Sequence, residues 1–403
     1  MKTMLMIPPQ FLPVPAVRGG AVEELCTRLI EGNETSPRYD ITVLSKPDDA
    51  LEGARYCHTN IVPIQATRIH RVLARIINKI VFLTHRGQYV TPEALKILVL
   101  VLRGRHDVIL VENDMLACNM ISGFKWLKKR VRLIYHMHND YDGSSKTPAL
   151  VRDIMPHVDV FLVISEYLRS QVVSAEAVDM SDKVKVLDNA IDIKAFKQGG
   201  DRERWRREFG IDSRDMTFVY SGRITPEKGV RELIEAYIRM ANASDCSTKL
   251  LIVGKSWFGT DDVDPYAEEL KALSAGRDDI IFTGFVQHED MPGVLSAADV
   301  AVIPSRWKEP FGLVVLEAMA AGLAIIATRS GAIPEIVSNE SAFLINNEDD
   351  TIVDDLAAAM HTALDSEKRM QKIHDAQLTL TQHPEYDVHG YFDRFCDLID
   401  ERK

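Results

Sequence analysis

Two glutamates eight positions apart, Glu309 and Glu317, bracket a Pro-Phe-Gly-Leu turn. Residues 304–322 read as strand end, loop and helix, with Pro310 in the first helical turn and Gly322 at the C-cap. Free N–H groups at such a helix start, around Phe311, Gly312 and Leu313, form an anion site. Gly312 has no side chain to block close approach of a diphosphate. Glu317, expected about two turns into the helix, leans back toward the helix start, where its carboxylate can accept two hydrogen bonds from a ribose diol. Glu309, in the loop before the anion site, can hold hydroxyls of the attached sugar.

A second segment carries the matching cations. In Ser221-Gly222-Arg223-Ile224-Thr225-Pro226-Glu227-Lys228-Gly229, placed between a strand and a helix, Arg223 offers a planar fork and Lys228 a mobile point charge. Both can converge on a diphosphate next to Gly222. Two such cations remove the need for a bound metal, and no D-x-D motif is evident; Asp261-Asp262-Val263-Asp264 reads as a polar loop. No metal or other cofactor is expected. Lys255 and Trp257 stand as specificity or surface positions, and Phe282-Thr283-Gly284-Phe285-Val286 ends a further strand.

The earlier half holds sparser chemistry. Gly19 and Gly20 open the first helix and permit close approach of a phosphate or sugar. His136 and His138, two apart, share one face if their strand persists. A metal between them is disfavoured, since the sequence offers no evident third ligand. From 66 to 106 eight Lys/Arg stand against a single acidic residue, Glu93, and 124–132 holds a second basic run. Arg68, Arg71, Arg75 and Lys79 recur beside apolar residues as in a basic amphipathic helix, so peripheral membrane contact through 66–106 and 124–132 is one reading and a solvated flank another.

The elements that must position these groups follow from the apolar pattern. Short continuous apolar runs at 4–7, 41–44, 108–111, 133–135, 160–164 and 184–187 alternate with helix-length segments. The same holds at 218–220, 250–253, 280–282, 300–303, 324–327 and 342–345. Runs of this kind fit parallel strands covered on both faces, so two doubly wound α/β domains are expected. The boundary is placed near 193–215, giving domains 1–193 and 194–385, with a final helix over 386–403 packing on something already built. At 403 residues the chain suits two cores, and 46% apolar with 27% charged residues is the balance of a soluble globular enzyme. A net charge of −11 disfavours nucleic acid as a partner. Five scattered cysteines, without a C-x-x-C pair, argue against a disulfide framework or zinc site. No signal peptide or spanning segment is visible, and the expected compartment is the cytoplasm or the inner face of its membrane.

With these residues in view, the chain resembles the family-4 retaining glycosyltransferases of GT-B fold. Glu309 and Glu317 match the family's E-x7-E motif, within E-P-F-G-L…E-A-M-A-x-G. Gly331-Ala332-Ile333-Pro334-Glu335-Ile336-Val337 resembles its G-G-x-P-E segment, with Ala332 replacing the second glycine. The resemblance implies two Rossmann-like domains facing a central cleft, the first for acceptor, the second for the donor nucleotide sugar. It implies that Arg223 and Lys228 neutralise the leaving diphosphate, that backbone near Val286 reads the base edge, and that His138-Asn139 corresponds to the family's H-D or H-N step near the transferred sugar. It also implies that the last helix returns to the first domain. The expected reaction is retaining hexosyl transfer from a nucleotide-diphosphate sugar to a hydroxyl of a carbohydrate or lipid-linked saccharide, in polysaccharide or glycoconjugate synthesis. No residue type selects uracil over guanine or adenine; a UDP-sugar is the working expectation. The rival is a non-catalytic coat or scaffold protein retaining the fold, against which the intact Glu309, Glu317, Arg223 and Lys228 argue.

Overall fold

The computed structural model describes residues 1–84, 90–124, 130–141, 147–175, 181–255 and 264–400. Trp257, Asp261, Asp262, Val263 and the centre of the second basic run, 125–129, lie outside them. The chain forms two compact units: residues 1–187 with 389–403, and residues 188–388.

Unit 1 is built on seven strands: β1 (Lys2–Ile7), β2 (Tyr39–Ser45), β3 (Thr59–Pro63), β4 (Val108–Glu112), β5 (Arg132–Met137), β6 (Val160–Val163) and β7 (Val184–Val186). All pair in parallel, in the order β3-β2-β1-β4-β5-β6-β7. The central strands are buried along their whole length, as in Val108–Glu112, because helices cover both faces. The apolar runs foretell six of these strands but not β3, an edge strand whose Asn60 and Pro63 break the pattern. Helix Tyr391–Asp400 belongs to this unit; it packs against helix Ala21–Thr35, and the Leu398 carbonyl accepts from Lys185 Nζ at 3.0 Å.

Unit 2 holds β8 (Met216–Ser221), β9 (Thr248–Val253), β10 (Ile280–Gly284), β11 (Val300–Ile303), β12 (Ala324–Thr328) and β13 (Phe343–Ile345), parallel in the order β10-β9-β8-β11-β12-β13. Helices Val230–Asn242 and Ile352–Ala363 press Leu233, Tyr237, Leu356 and Met360 into one core with Phe218, Ile252 and Ile326. The two units divide at Leu187/Asp188 and Val388/His389 rather than at 193/194 and 385/386. The reason is that Ile191 is tied to the later segment: its N–H donates to the Tyr386 carbonyl and its carbonyl accepts from the Val388 N–H, each at 3.0 Å, so 188–193 and 386–388 stay together in unit 2. The charged run 202–207, expected as linker, is also held. Arg206, 2% exposed, donates to the carbonyls of Ala297 and Asp215 at 2.8 Å each, and Arg202 donates to Asp299 at 2.7 Å. These arginines satisfy buried carbonyls, so the run is part of the unit's framework.

In each sheet the strand order reverses once, between β1 and β4 in unit 1 and between β8 and β11 in unit 2. Open parallel sheets bind ligands beyond the carboxyl ends of their strands at such switch points.

Candidate active site

The residues singled out in unit 2 follow the two strands at its switch point. Gly222, Arg223 and Lys228 follow β8; Glu309, Phe311, Gly312, Leu313 and Glu317 follow β11. The structure brings Lys228 and Glu309 together across 81 residues of sequence. Lys228 Nζ donates to Glu309 Oε1 at 2.7 Å, and the Ser305 hydroxyl donates to the same oxygen at 2.5 Å. Lys228 also lies 5.0 Å from the Trp307 ring centroid, a cation–π placement that limits its swing. Glu309 is 7% exposed, so its charge is held by this pairing.

Arg223 and Glu317 stand apart from that pair. Among the described residues, Arg223, half-buried, makes no ion pair or side-chain hydrogen bond; only its carbonyl is held, by the Tyr220 hydroxyl at 2.5 Å. Glu317 is 8% exposed, and its carboxylate has no hydrogen-bond partner among the described residues. Burial raises its pKa above the ordinary carboxylate value, with His288 pulling the other way. A cation that faces Glu227 and a carboxylate that faces His288, neither held by a side-chain hydrogen bond among the described residues, can serve a bound ligand.

The helix between them differs from expectation. It spans Leu313–Ala320, with Gly312 as N-cap at φ 111°, so Pro310 lies before the helix and Glu317 little more than one turn inside it. The left-handed backbone at Gly312 turns the chain sharply into the helix, and Gly322, at φ 74°, follows the C-cap residue Ala321. Phe311 buries its ring edge-on to Tyr386, with centroids 6.1 Å apart. Val286 is half-buried just beyond β10.

The loop carrying Glu309 is held from the side by the segment after β12. Thr328 Oγ1 donates to the Ser305 carbonyl at 2.7 Å, the Ala332 N–H to the Glu309 carbonyl at 2.8 Å, and the Ser330 hydroxyl to the Trp307 carbonyl. A Cβ at Gly331 would sit 2.1 Å from the Glu309 carbonyl oxygen and 2.5 Å from its nitrogen. Gly331 is therefore required by the backbone of the glutamate itself. Ala332, by contrast, is fully buried and well accommodated where the family has glycine.

Unit 1 gathers a second group at its own switch point. Gly20, φ 105°, caps helix Ala21–Thr35, and Glu23 folds back over it, buried, with a pKa raised by desolvation. His136 ends within β5 and His138 just after it, and their rings lie 4.0 Å apart. Both reach Glu112 at the end of β4: Glu112 Oε2 is 2.7 Å from His138 Nε2 and 3.0 Å from His136 Nδ1. All three are buried. Burial would raise the Glu112 pKa, but the two imidazoles outweigh it and pull it down to about 2. Burial and the neighbouring His136 lower the His138 pKa to about 4, against the pull of Glu112. His138 is thus neutral near pH 7, and an Nε2–H donated to Glu112 leaves Nδ1 as an acceptor.

Glu112 supplies the third ligand atom that the sequence did not reveal, and the three candidate atoms lie within 4.8 Å of one another. If the protein holds a divalent ion, this is the cluster among the described residues with the donors for it. Ser305, Trp307, His288 and Glu112 were all missed by sequence reasoning. Only Glu112 carries a signal there, as an acidic residue closing an otherwise apolar strand.

Residues 201–377 match the family model described as Glycosyl transferases group 1. YtcC of Bacillus subtilis (strain 168), named by inference a glycosyltransferase, is 28% identical over 350 residues, covering 83% of this chain and 76% of that one. Spore coat protein SA of the same bacterium is 25% identical over 363 residues, 85% of each chain. Among solved structures, Alr3699/HepE of Anabaena in complex with UDP and glucose superposes with a TM-score of 0.75 at 20% identity over 99% of both chains. That likeness shows the fold, two parallel-sheet α/β units of GT-B type. Together these findings support a glycosyltransferase of this class.

Proposed function

We propose that the chain transfers a hexosyl group from a nucleotide-diphosphate sugar, with UDP as nucleotide, to a hydroxyl acceptor with retention of configuration, as family-4 enzymes of GT-B fold do. The observation that carries this reading is the set of groups beyond β8 and β11: a Lys228–Glu309 pair, a half-buried Arg223 and a buried Glu317, the last two with no side-chain hydrogen bond among the described residues. Glu317 accepts from the ribose diol, Glu309 from sugar hydroxyls, and the N–H groups at Gly312 and Leu313 face the diphosphate. As the anomeric C–O bond breaks, charge grows on the diphosphate, and Arg223 and Lys228 stabilise it where another enzyme would use a metal. The acceptor oxygen bonds to the anomeric carbon on the face the diphosphate leaves, and its proton passes to the departing phosphate oxygen. Unit 1 receives the acceptor, with neutral His138 offering Nδ1 to a hydroxyl and Gly20 giving close access.

The test is steady-state kinetics with a panel of sugar nucleotides. Lys228→Ala is expected to lower kcat by about a hundredfold, and Glu317→Ala to raise the donor KM with a smaller change in kcat. Free nucleotide diphosphate should accumulate only when acceptor is present. A second reading, a non-catalytic coat protein, is favoured by the similarity to spore coat protein SA along most of both chains. It predicts no turnover with any acceptor, and unchanged kinetics in both variants would overturn the enzymatic assignment.

A further inference from the structure

Helix Arg68–Thr84 in unit 1 leaves apolar surface in solvent: Ile69, Val72, Leu73, Ile76 and Leu83 are 46–70% exposed. At about 100° per residue these side chains fall in one sector roughly 100° wide. Arg68, Arg71, Arg75 and Lys79, all exposed, fill the adjoining sector, while Ala74, 3% exposed, marks the side turned to the unit. The helix holds no acidic residue, in a chain whose net charge is −11. A stripe of aliphatic residues edged by cations, on a helix too short and too charged to span, is the form that lies in the headgroup layer of a bilayer.

We propose that this helix docks the protein on an anionic lipid bilayer, with the aliphatic sector below the headgroups and the four cations among the lipid phosphates. Charge complementarity selects this occupant. A second copy of the chain meeting the same face would set eight cations against one another with no acid on either helix to pair them. A soluble anion would engage the arginines and leave the aliphatic sector wet. Only a surface that is both anionic and apolar satisfies the two sectors at once. The inference stands independently of the proposed reaction.

The test is sedimentation of the full chain with vesicles of phosphatidylcholine alone and with 30 mol% phosphatidylglycerol (a composition on the order of natural anionic leaflets). The wild-type chain is expected to sediment with the anionic vesicles and not with the neutral ones. Arg71→Gln/Arg75→Gln should weaken that partition about tenfold or more. Ile69→Ser/Ile76→Ser should weaken it comparably while leaving the far-ultraviolet circular dichroism unchanged, since these side chains contribute little to the core. Equal binding to both vesicle types, no binding to either, or loss only in the arginine variant would overturn the proposal. So would a solution dimer that the isoleucine variant dissociates, which would assign the face to a second copy.

Discussion

Each unit gathers titratable groups at the switch point of its sheet, yet the two gatherings differ in charge and in burial. In unit 1 the carboxylate of Glu112 lies against two imidazoles and all three are buried, yet Glu112 Oε1, His136 Nε2 and His138 Nδ1 have no hydrogen-bond partner among the described residues. In unit 2 Lys228 and Glu309 hold each other, while Arg223 and Glu317 make no side-chain hydrogen bond among the described residues and feel the charges of Glu227 and His288. The contrast teaches what each gathering is suited to. Cations beside carboxylates can meet an anionic, hydroxyl-bearing ligand, whereas buried imidazoles around one carboxylate hold polar atoms that only a proton or a small guest can satisfy.

The largest effect that would sharpen this contrast is expected at Glu112. Glu112→Ala leaves two buried imidazoles without their carboxylate, a loss of roughly 3–5 kcal/mol that thermal unfolding or hydrogen exchange in unit 1 would report. The pH dependence has a fixed sign. Glu112 and His138 both have folded pKa values below their ordinary ones, so the unfolded chain binds protons first on acidification. The His138 contribution is lost as pH falls from about 6.5 to about 4, and that of Glu112 as pH falls from about 4.5 to about 2. A stoichiometric divalent ion in the purified protein that disappears in Glu112→Gln would break the description of this cluster as a hydrogen-bonded one.

Next comes the support behind Glu309. Gly331→Ala forces a Cβ against the Glu309 backbone and is expected to cost roughly 1–3 kcal/mol, with donor affinity falling along with stability. Ala332→Gly at the neighbouring position should change donor binding little. If both substitutions behave alike, the loop is not held in the way the geometry indicates.

The smallest effect concerns the protonation of Glu317. Its raised pKa means that the carboxylate, and with it the diol contact proposed above, is lost on acidification at a higher pH than for an ordinary glutamate. Calorimetric titration with a nucleotide diphosphate across pH should show affinity falling over that limb. The limb should vanish in Glu317→Gln, whose affinity is lower and flat. A wild-type profile without the limb would separate Glu317 from ligand binding.

Much of the fold was legible because buried parallel strands announce themselves as continuous apolar runs, and twelve of the thirteen strands carry one. The edge strand Thr59–Pro63, half-exposed and partly polar, does not. In the site, residue types and local spacing identify Glu309, Gly312 and Glu317 because they lie within one loop and helix. The exact helix start is hidden, since Pro310 suits a first turn but the left-handed Gly312 delays it. The contacts among these groups were not legible for a different reason. Lys228 meets Glu309, and Glu112 meets His136 and His138, only through strand order, which local sequence does not encode.

The placement of helix Tyr391–Asp400 has a consequence for how the molecule is made. Unit 1 begins at the first strand but is completed by residues 389–403, after all of unit 2 has been translated. A ribosome-bound chain therefore keeps its first unit incomplete, with the flank of helix Ala21–Thr35 uncovered, until the whole of the second has been translated. Stop codons introduced just past Val388 should leave an intact later unit joined to an earlier one that is prone to chaperone capture and proteolysis.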